Sequence, residues 1–159
     1  MIAMALVCHP SLLIADEPTT ALDVTTEAQI LRLLQSLQQR LDMATLFITH
    51  NLGVVAQLTQ RVIVMYLGRV VEAADVDALF YTPLHPYPRA LLRSIPRPAQ
   101  RTRGRLYSIR GMVPSPYAHI PGCPFHPRCP DMQLGACDVR EPPWLHADVG
   151  HWVRCILYE

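Results

Sequence analysis

The amino-acid sequence predicts an α/β chain: a parallel sheet with helices, followed by a proline- and cysteine-rich extension. Three observations carry this. In the first half, short apolar runs that end in charged or polar residues alternate with helical spacing. Of 15 prolines, 13 lie between Pro83 and Pro143, and four of the five cysteines follow Gly122. Charge divides the same way: residues 1–77 carry a net −4 and residues 78–159 a net +5, within a chain of 159 residues and net charge +1.

Ser11-Leu12-Leu13-Ile14-Ala15 is a short apolar run closed by Asp16-Glu17, the pattern of a buried parallel strand. Pro18 stops it. Asp23 or Thr25 then suits a helix N-cap. Ile30, Leu33, Leu34, Leu37 and Leu41 recur at helical spacing, with Arg32, Gln35, Gln39 and Arg40 outward. Ala44 to Thr49 is β-branched and aromatic, a second buried strand ending at His50. Asn51 to Thr59 reads as a short helix and Arg61 to Tyr66 as a third strand. Leu67-Gly68-Arg69 turns, and Val70 to Ala73 returns. Strand, helix, strand, helix, strand is the grammar of a parallel sheet, whose ligands bind at the carboxyl ends of strands. Asp16, Glu17 and His50 all fall at such ends.

Composition removes several classes of function. Half the residues are hydrophobic and mean hydropathy is +0.16, so the chain can bury a core. Its cations are 14 arginines and no lysine, which excludes any mechanism needing a lysine within these residues. A net charge of +1 gives no global case for nucleic acid or an anionic membrane. Met1 to Val7 is apolar but lacks a basic leader and ends at Cys8-His9-Pro10, so no signal peptide is read. No run approaches the roughly 18 apolar residues that span a bilayer. The chain therefore reads as cytosolic, and in a reducing compartment its cysteines suggest metal, redox chemistry or burial before disulfides. No internal repeat is found.

The sharpest constellation is Leu12-Leu13-Ile14-Ala15-Asp16-Glu17-Pro18-Thr19-Thr20-Ala21-Leu22-Asp23, followed by Thr49-His50. A strand that delivers an Asp and then a Glu can hold Mg²⁺ with the first and orient a water with the second. A histidine leaving the neighbouring strand can reach the same phosphate. Two acids alone are adequately read as a strand end; the twelve-residue run with its histidine is not.

These residues resemble the C-terminal part of an ABC transporter ATPase subunit, a partial P-loop NTPase. The likeness covers the Walker B strand (Leu12 to Asp16), the catalytic glutamate (Glu17), the D-loop (Thr20 to Asp23) and the switch histidine (His50). It implies ATP bound between two nucleotide-binding domains, with hydrolysis powering movement of a substrate through a membrane. By the same resemblance Asp16 engages Mg²⁺ through water, Glu17 polarises the attacking water, His50 contacts the γ-phosphate and Asp23 couples two sites across the dimer. Two family features are missing. There is no GxxxxGK[ST] phosphate loop, and the seven glycines, never adjacent, form no signature loop. Met1 to Leu6 resembles the helix after that loop, closed by Pro10. The expectation is a fragment or truncated product, inactive alone, with sheet edges and apolar faces at 11–15 and 44–49 left bare. The resemblance further implies a second ATPase subunit, two transmembrane permease subunits and a peptide-binding protein as partners, at the cytoplasmic face of the plasma membrane.

Residues 76–159 read as an extension of the domain in 1–75. Asp75 to Tyr81 suits a short helix, and Tyr81-Thr82-Pro83-Leu84-His85-Pro86-Tyr87-Pro88 leads into another that Pro96 ends. The pattern TPxHPYxxxLLxxxP is similar to the C-terminal extension of oligopeptide, dipeptide and nickel importer ATPases, which points to peptides as the cargo. Arg97, Arg101, Arg103, Arg105 and Arg110 occur without an acid among them, but the aromatic interleaving is Tyr107 alone, so a solvated linker is read there and no nucleic-acid partner.

Cys123, Cys129, Cys137 and Cys155 stand with five, seven and seventeen residues between them, in a segment too proline-rich to fold on apolar burial alone. Four thiolates suit Zn²⁺ or an iron–sulfur cluster, and chemistry does not separate the two. Gly122 to Pro130 resembles the cysteine-rich tail of peptide-importer ATPases, which favours [4Fe–4S] over zinc. His126 and His151 are possible substitute ligands, and Cys8 reads as core. The leading expectation is thus the C-terminal part of a peptide importer's ATPase; the alternative is a non-catalytic, metal-binding interaction module from a truncated gene.

Overall fold

The computed structural model describes residues 2–95, 107–115 and 117–159. The chain is mixed α/β and divides into two compact units, Met1–Thr59 and Gln60–Glu159, ahead of the boundary drawn at residue 75 from the sequence. The arginine-rich segment lies mostly outside the described residues, as does Pro96.

The first unit holds α1 (Ile2–Leu6), β1 (Leu12–Asp16), α2 (Val24–Leu41), β2 (Ala44–Ile48) and α3 (Leu52–Leu58). Asp23 caps α2, its carboxylate accepting from the Thr25 and Thr26 amides at 3.0 Å. Asp42, at φ 48°, closes the helix and donates its amide to the Gln38 carbonyl. β1 and β2 pair in parallel, from Leu12 beside Ala44 to Asp16 beside Ile48. On one face of this sheet Leu13 packs with Leu34 and Met43, and Phe47 bridges to Leu31, Val54 and Leu58. The opposite face is bare: Leu12, Ile14, Leu46 and Ile48 are 52, 59, 46 and 46% exposed. Each forgoes on the order of 1 kcal/mol of burial. The apolar face anticipated from the sequence is therefore present.

The third strand does not join that parallel sheet, which corrects the expected strand grammar. β3 (Arg61–Tyr66) and β4 (Arg69–Asp75) form an antiparallel hairpin in a four-stranded sheet ordered β3-β4-β6-β5. The cause is local: a two-residue turn at Leu67-Gly68, with φ of 46° and 75°, matches the strand twist and reverses the chain. β5 (Leu145–Asp148) and β6 (His151–Val153) add the other strands, and the sequence reading missed both because they are short and set among prolines. α4 (Val76–Tyr81) and α5 (Pro86–Ser94) follow the hairpin, Pro86 standing at the first turn of α5 where its missing amide costs nothing.

The core of the second unit is aromatic. Tyr66, Tyr87 and Phe125 meet at centroid distances of 4.8 to 5.3 Å, with Phe125 fully buried. Beneath them Glu72, also fully buried, accepts from the Leu84 amide at 2.9 Å, the His85 amide at 2.6 Å and His151 Nε2 at 2.8 Å. The carboxylate thereby ties the Leu84-His85 turn and β6 to β4. Among the described residues no helix is long and apolar enough to cross a membrane.

Candidate functional site

Parallel pairing of β1 and β2 sends both strands out of the same sheet end. The ladder runs one residue further, the Glu17 amide donating to the Ile48 carbonyl at 2.8 Å. There the backbone breaks: Glu17 lies at φ 45°, left-handed for a residue that precedes proline. Such a conformation costs on the order of 1–3 kcal/mol and persists only where neighbours hold it. Here the holders are visible. Thr20 Oγ1 donates to Glu17 Oε2 at 2.8 Å, and the Thr20 amide bonds the Glu17 carbonyl at 3.2 Å.

The second strand brings the imidazole. His50 Nδ1 lies 2.7 Å from Glu17 Oε1. A carboxylate there only accepts, so Nδ1 carries the proton and Nε2 faces outward. The His50 hydrogen bond, and next that from Thr20, hold the Glu17 carboxyl below its ordinary range. Glu17 is therefore an ionised acceptor at neutral pH, fixed at both oxygens yet open to solvent. Such a group can orient a water molecule.

The other two acids of the motif lie outside this hydrogen-bonded group. Asp16 ends β1 on the bare face and makes no side-chain hydrogen bond among the described residues. Asp23 is committed to the α2 cap, where the Thr26 hydroxyl at 2.6 Å is the largest cause lowering its pKa. Hydrogen bonds thus bring Glu17, Thr20 and His50 together. Thr20 was missed as a partner of the glutamate; the three-residue spacing after a left-handed residue is its signal.

The structure gives no support to the metal expectation for the cysteine segment. Among the described residues no group of three or more His, Cys, Asp or Glu side chains is placed to hold a metal ion. Cys123, Cys137 and Cys155 are buried and Cys129 half-buried, all as free thiols. Burial raises Cys123, pushes Cys129 up to about 12 and Cys155 up to about 11, and the neighbouring cysteines add to each shift. The Cys137 sulfur accepts from the Gln133 amide at 3.3 Å. His126 contacts the Cys123 carbonyl through Nδ1, and His151 contacts Glu72 through Nε2. Cys123 and Cys129 pack in the cluster around Phe125 as small apolar groups. Gly122 makes the packing possible: it sits at φ 69°, and a Cβ there would fall 2.3 Å from the Cys137 carbonyl oxygen.

The sequence reading also missed Glu72, His85 and His151 as one buried network. A lone acid inside the apolar run Val70 to Ala74 was its signal, since a buried carboxylate needs partners. Burial, and then the Arg89 charge, lowers the His85 pKa to about 4, so the ring is neutral. Its Nε2 has no hydrogen-bond partner among the described residues, and its ring lies beside that of Phe125, 5.8 Å between centroids.

Residues 71–137 match the C-terminal region of the oligopeptide/dipeptide transporter family. The chain is 53% identical over 159 residues to the oligopeptide transport ATP-binding protein of Bacillus subtilis, covering 100% of this chain and 48% of that protein. It is 53% identical over 155 residues to the dipeptide transport ATP-binding protein of Escherichia coli, covering 98% and 47%. The chain belongs to the family of peptide and dipeptide ABC transporter ATP-binding subunits, matching their C-terminal part. It spans about half the length of the curated relatives it matches.

Proposed function

We propose that the chain is the carboxyl-terminal part of an ATP-hydrolysing subunit that drives import of di- or oligopeptides. The observation that carries this reading is the 2.7 Å contact between Glu17 and His50 at the ends of adjacent parallel strands. In this reading residues 1–75 complete a P-loop-type nucleotide-binding domain and residues 76–159 form its importer-type extension. Glu17 is the general base that orients water toward the γ-phosphate of ATP. His50 holds that carboxylate with Nδ1 and presents Nε2 to the phosphate. Asp23 keeps the loop after Glu17 in register by capping α2. Asp16, an exposed carboxylate at the strand end, would hold Mg²⁺; one carboxylate beside phosphate oxygens and water is an ordinary complement for that ion, which neutralises phosphate charge when bound. A second ATPase subunit, two membrane permeases and a peptide-binding protein complete the assembly at the cytoplasmic membrane face.

The test is a chimera in which the N-terminal half of the Bacillus subtilis relative is joined to this chain. The chimera should hydrolyse ATP. Glu17→Gln should bind nucleotide normally and lose roughly a hundredfold or more in turnover, the usual effect of removing a general base. Turnover at the parental rate by Glu17→Gln overturns the base assignment, and failure of the parental chimera to bind nucleotide counts against the ATPase reading as a whole.

A further inference from the structure

The second unit carries a recess of about 300 Å³ that neither the nucleotide reading nor the cysteine segment uses. It lies between α4 and α5. Phe80, Pro83 and Leu92 give it apolar walls, Arg89 and Arg93 give it charge, and Tyr81, 82% exposed, stands at its lip. No acidic residue lines it, and the sequence has none from Ala78 to Pro130.

The walls are built rather than incidental. Arg89 Nε donates to the Pro83 carbonyl at 2.9 Å, and its Nη2 donates to the Tyr158 hydroxyl at 2.6 Å. Tyr158 in turn donates to the Leu84 carbonyl at 2.9 Å, and the buried Glu72 holds the Leu84 and His85 amides. Arg89 is thus held in one orientation, with Nη1 free of partners among the described residues. Arg93 stands one helical turn further along α5. Two like charges four residues apart repel by a few tenths of a kcal/mol until an anion joins them.

We infer that this recess binds a carboxylate carried on an apolar or aromatic group, the chemistry of the C-terminal residue of a peptide. Two guanidinium groups match a carboxylate in forked hydrogen bonds. Phe80, Pro83 and Leu92 would cover an apolar side chain, which a bare phosphate would leave unused. A volume of this size lies at the small end of ligand sites and suits one or two amino-acid residues. The inference stands on the second unit and does not depend on nucleotide chemistry at Glu17.

Calorimetric titration of the 159-residue chain tests it with three probes: N-acetyl-phenylalanine, its uncharged amide, and inorganic phosphate. The acid should bind about tenfold or more tightly than the amide, the worth of a charge-assisted pair of hydrogen bonds, and more tightly than phosphate. Arg93→Gln should erase that preference. Arg93 is exposed, so the variant should unfold in urea as the parent does. Tyr81→Ala should weaken acid and amide alike. Equal binding of acid and amide, a preference that survives Arg93→Gln, or no binding of the acid each overturns the proposal; tighter binding of phosphate would reassign the recess to phosphate-bearing ligands and overturn it as well.

Discussion

Glu17 combines a strained backbone with two hydrogen bonds to its carboxylate, and the second fact explains the persistence of the first. Because its folded pKa is depressed, ionised Glu17 adds stability above its ordinary pKa, and that contribution fades as pH falls through the folded value. The side chain is exposed to solvent, so the effect is read by titration rather than by denaturation. Carbon-detected NMR of the Glu17 carboxyl should give a midpoint below 4.5, and His50→Ala should move it upward, His50 being the largest cause. A midpoint unchanged by His50→Ala would show that the contact does not govern the carboxylate. Glu72 differs in being wholly buried. Glu72→Leu would leave two backbone amides and a histidine nitrogen without acceptors, at about 1–3 kcal/mol each. A loss of more than about 3 kcal/mol in urea unfolding is expected, and a near-neutral effect would refute the network's importance.

Among the elements, α2 joins the loop after Glu17 to the core. Its N-cap is complete: Asp23 satisfies two backbone amides and the Thr26 hydroxyl. Asp23→Ala should cost about 1 kcal/mol, measured as a shift in urea midpoint with unchanged slope, whereas Asp23→Asn should retain most of it. The β1–β2 pair poses the opposite case, because half of its apolar side chains face water. Ile14→Thr combined with Ile48→Thr should leave unfolding free energy within about 1 kcal/mol of the parent while reducing binding of a hydrophobic dye. Dye binding that stays the same would place the sticky surface elsewhere. In the β3–β4 hairpin, by contrast, the Leu67-Gly68 turn decides strand direction, and the Val64/Met65 irregularity leaves Val71 as the extra residue that packs against Phe125.

Across the molecule the two units are built on different physics. The first rests on aliphatic contacts from α2 and α3 onto one sheet face and leaves the other face bare, as a parallel sheet does when only one side is covered. The second rests on an aromatic cluster, a buried carboxylate and a set of buried thiols. Phe125, from the proline-rich segment, packs there against Tyr66 and Tyr87.

Strand ends, the α2 cap and the approach of Glu17 to His50 were all readable along the chain, because each depends on residues close in sequence or on one strand–helix–strand repeat. The sheet membership of β3, the Glu72 network and the packing of the cysteines were not, because each joins residues far apart: Glu72 to His151, Cys123 to Cys137, β4 to β6. Local pattern sets periodicity and turn type. Which distant partner satisfies a buried carboxylate is decided only when the folded chain excludes water around it.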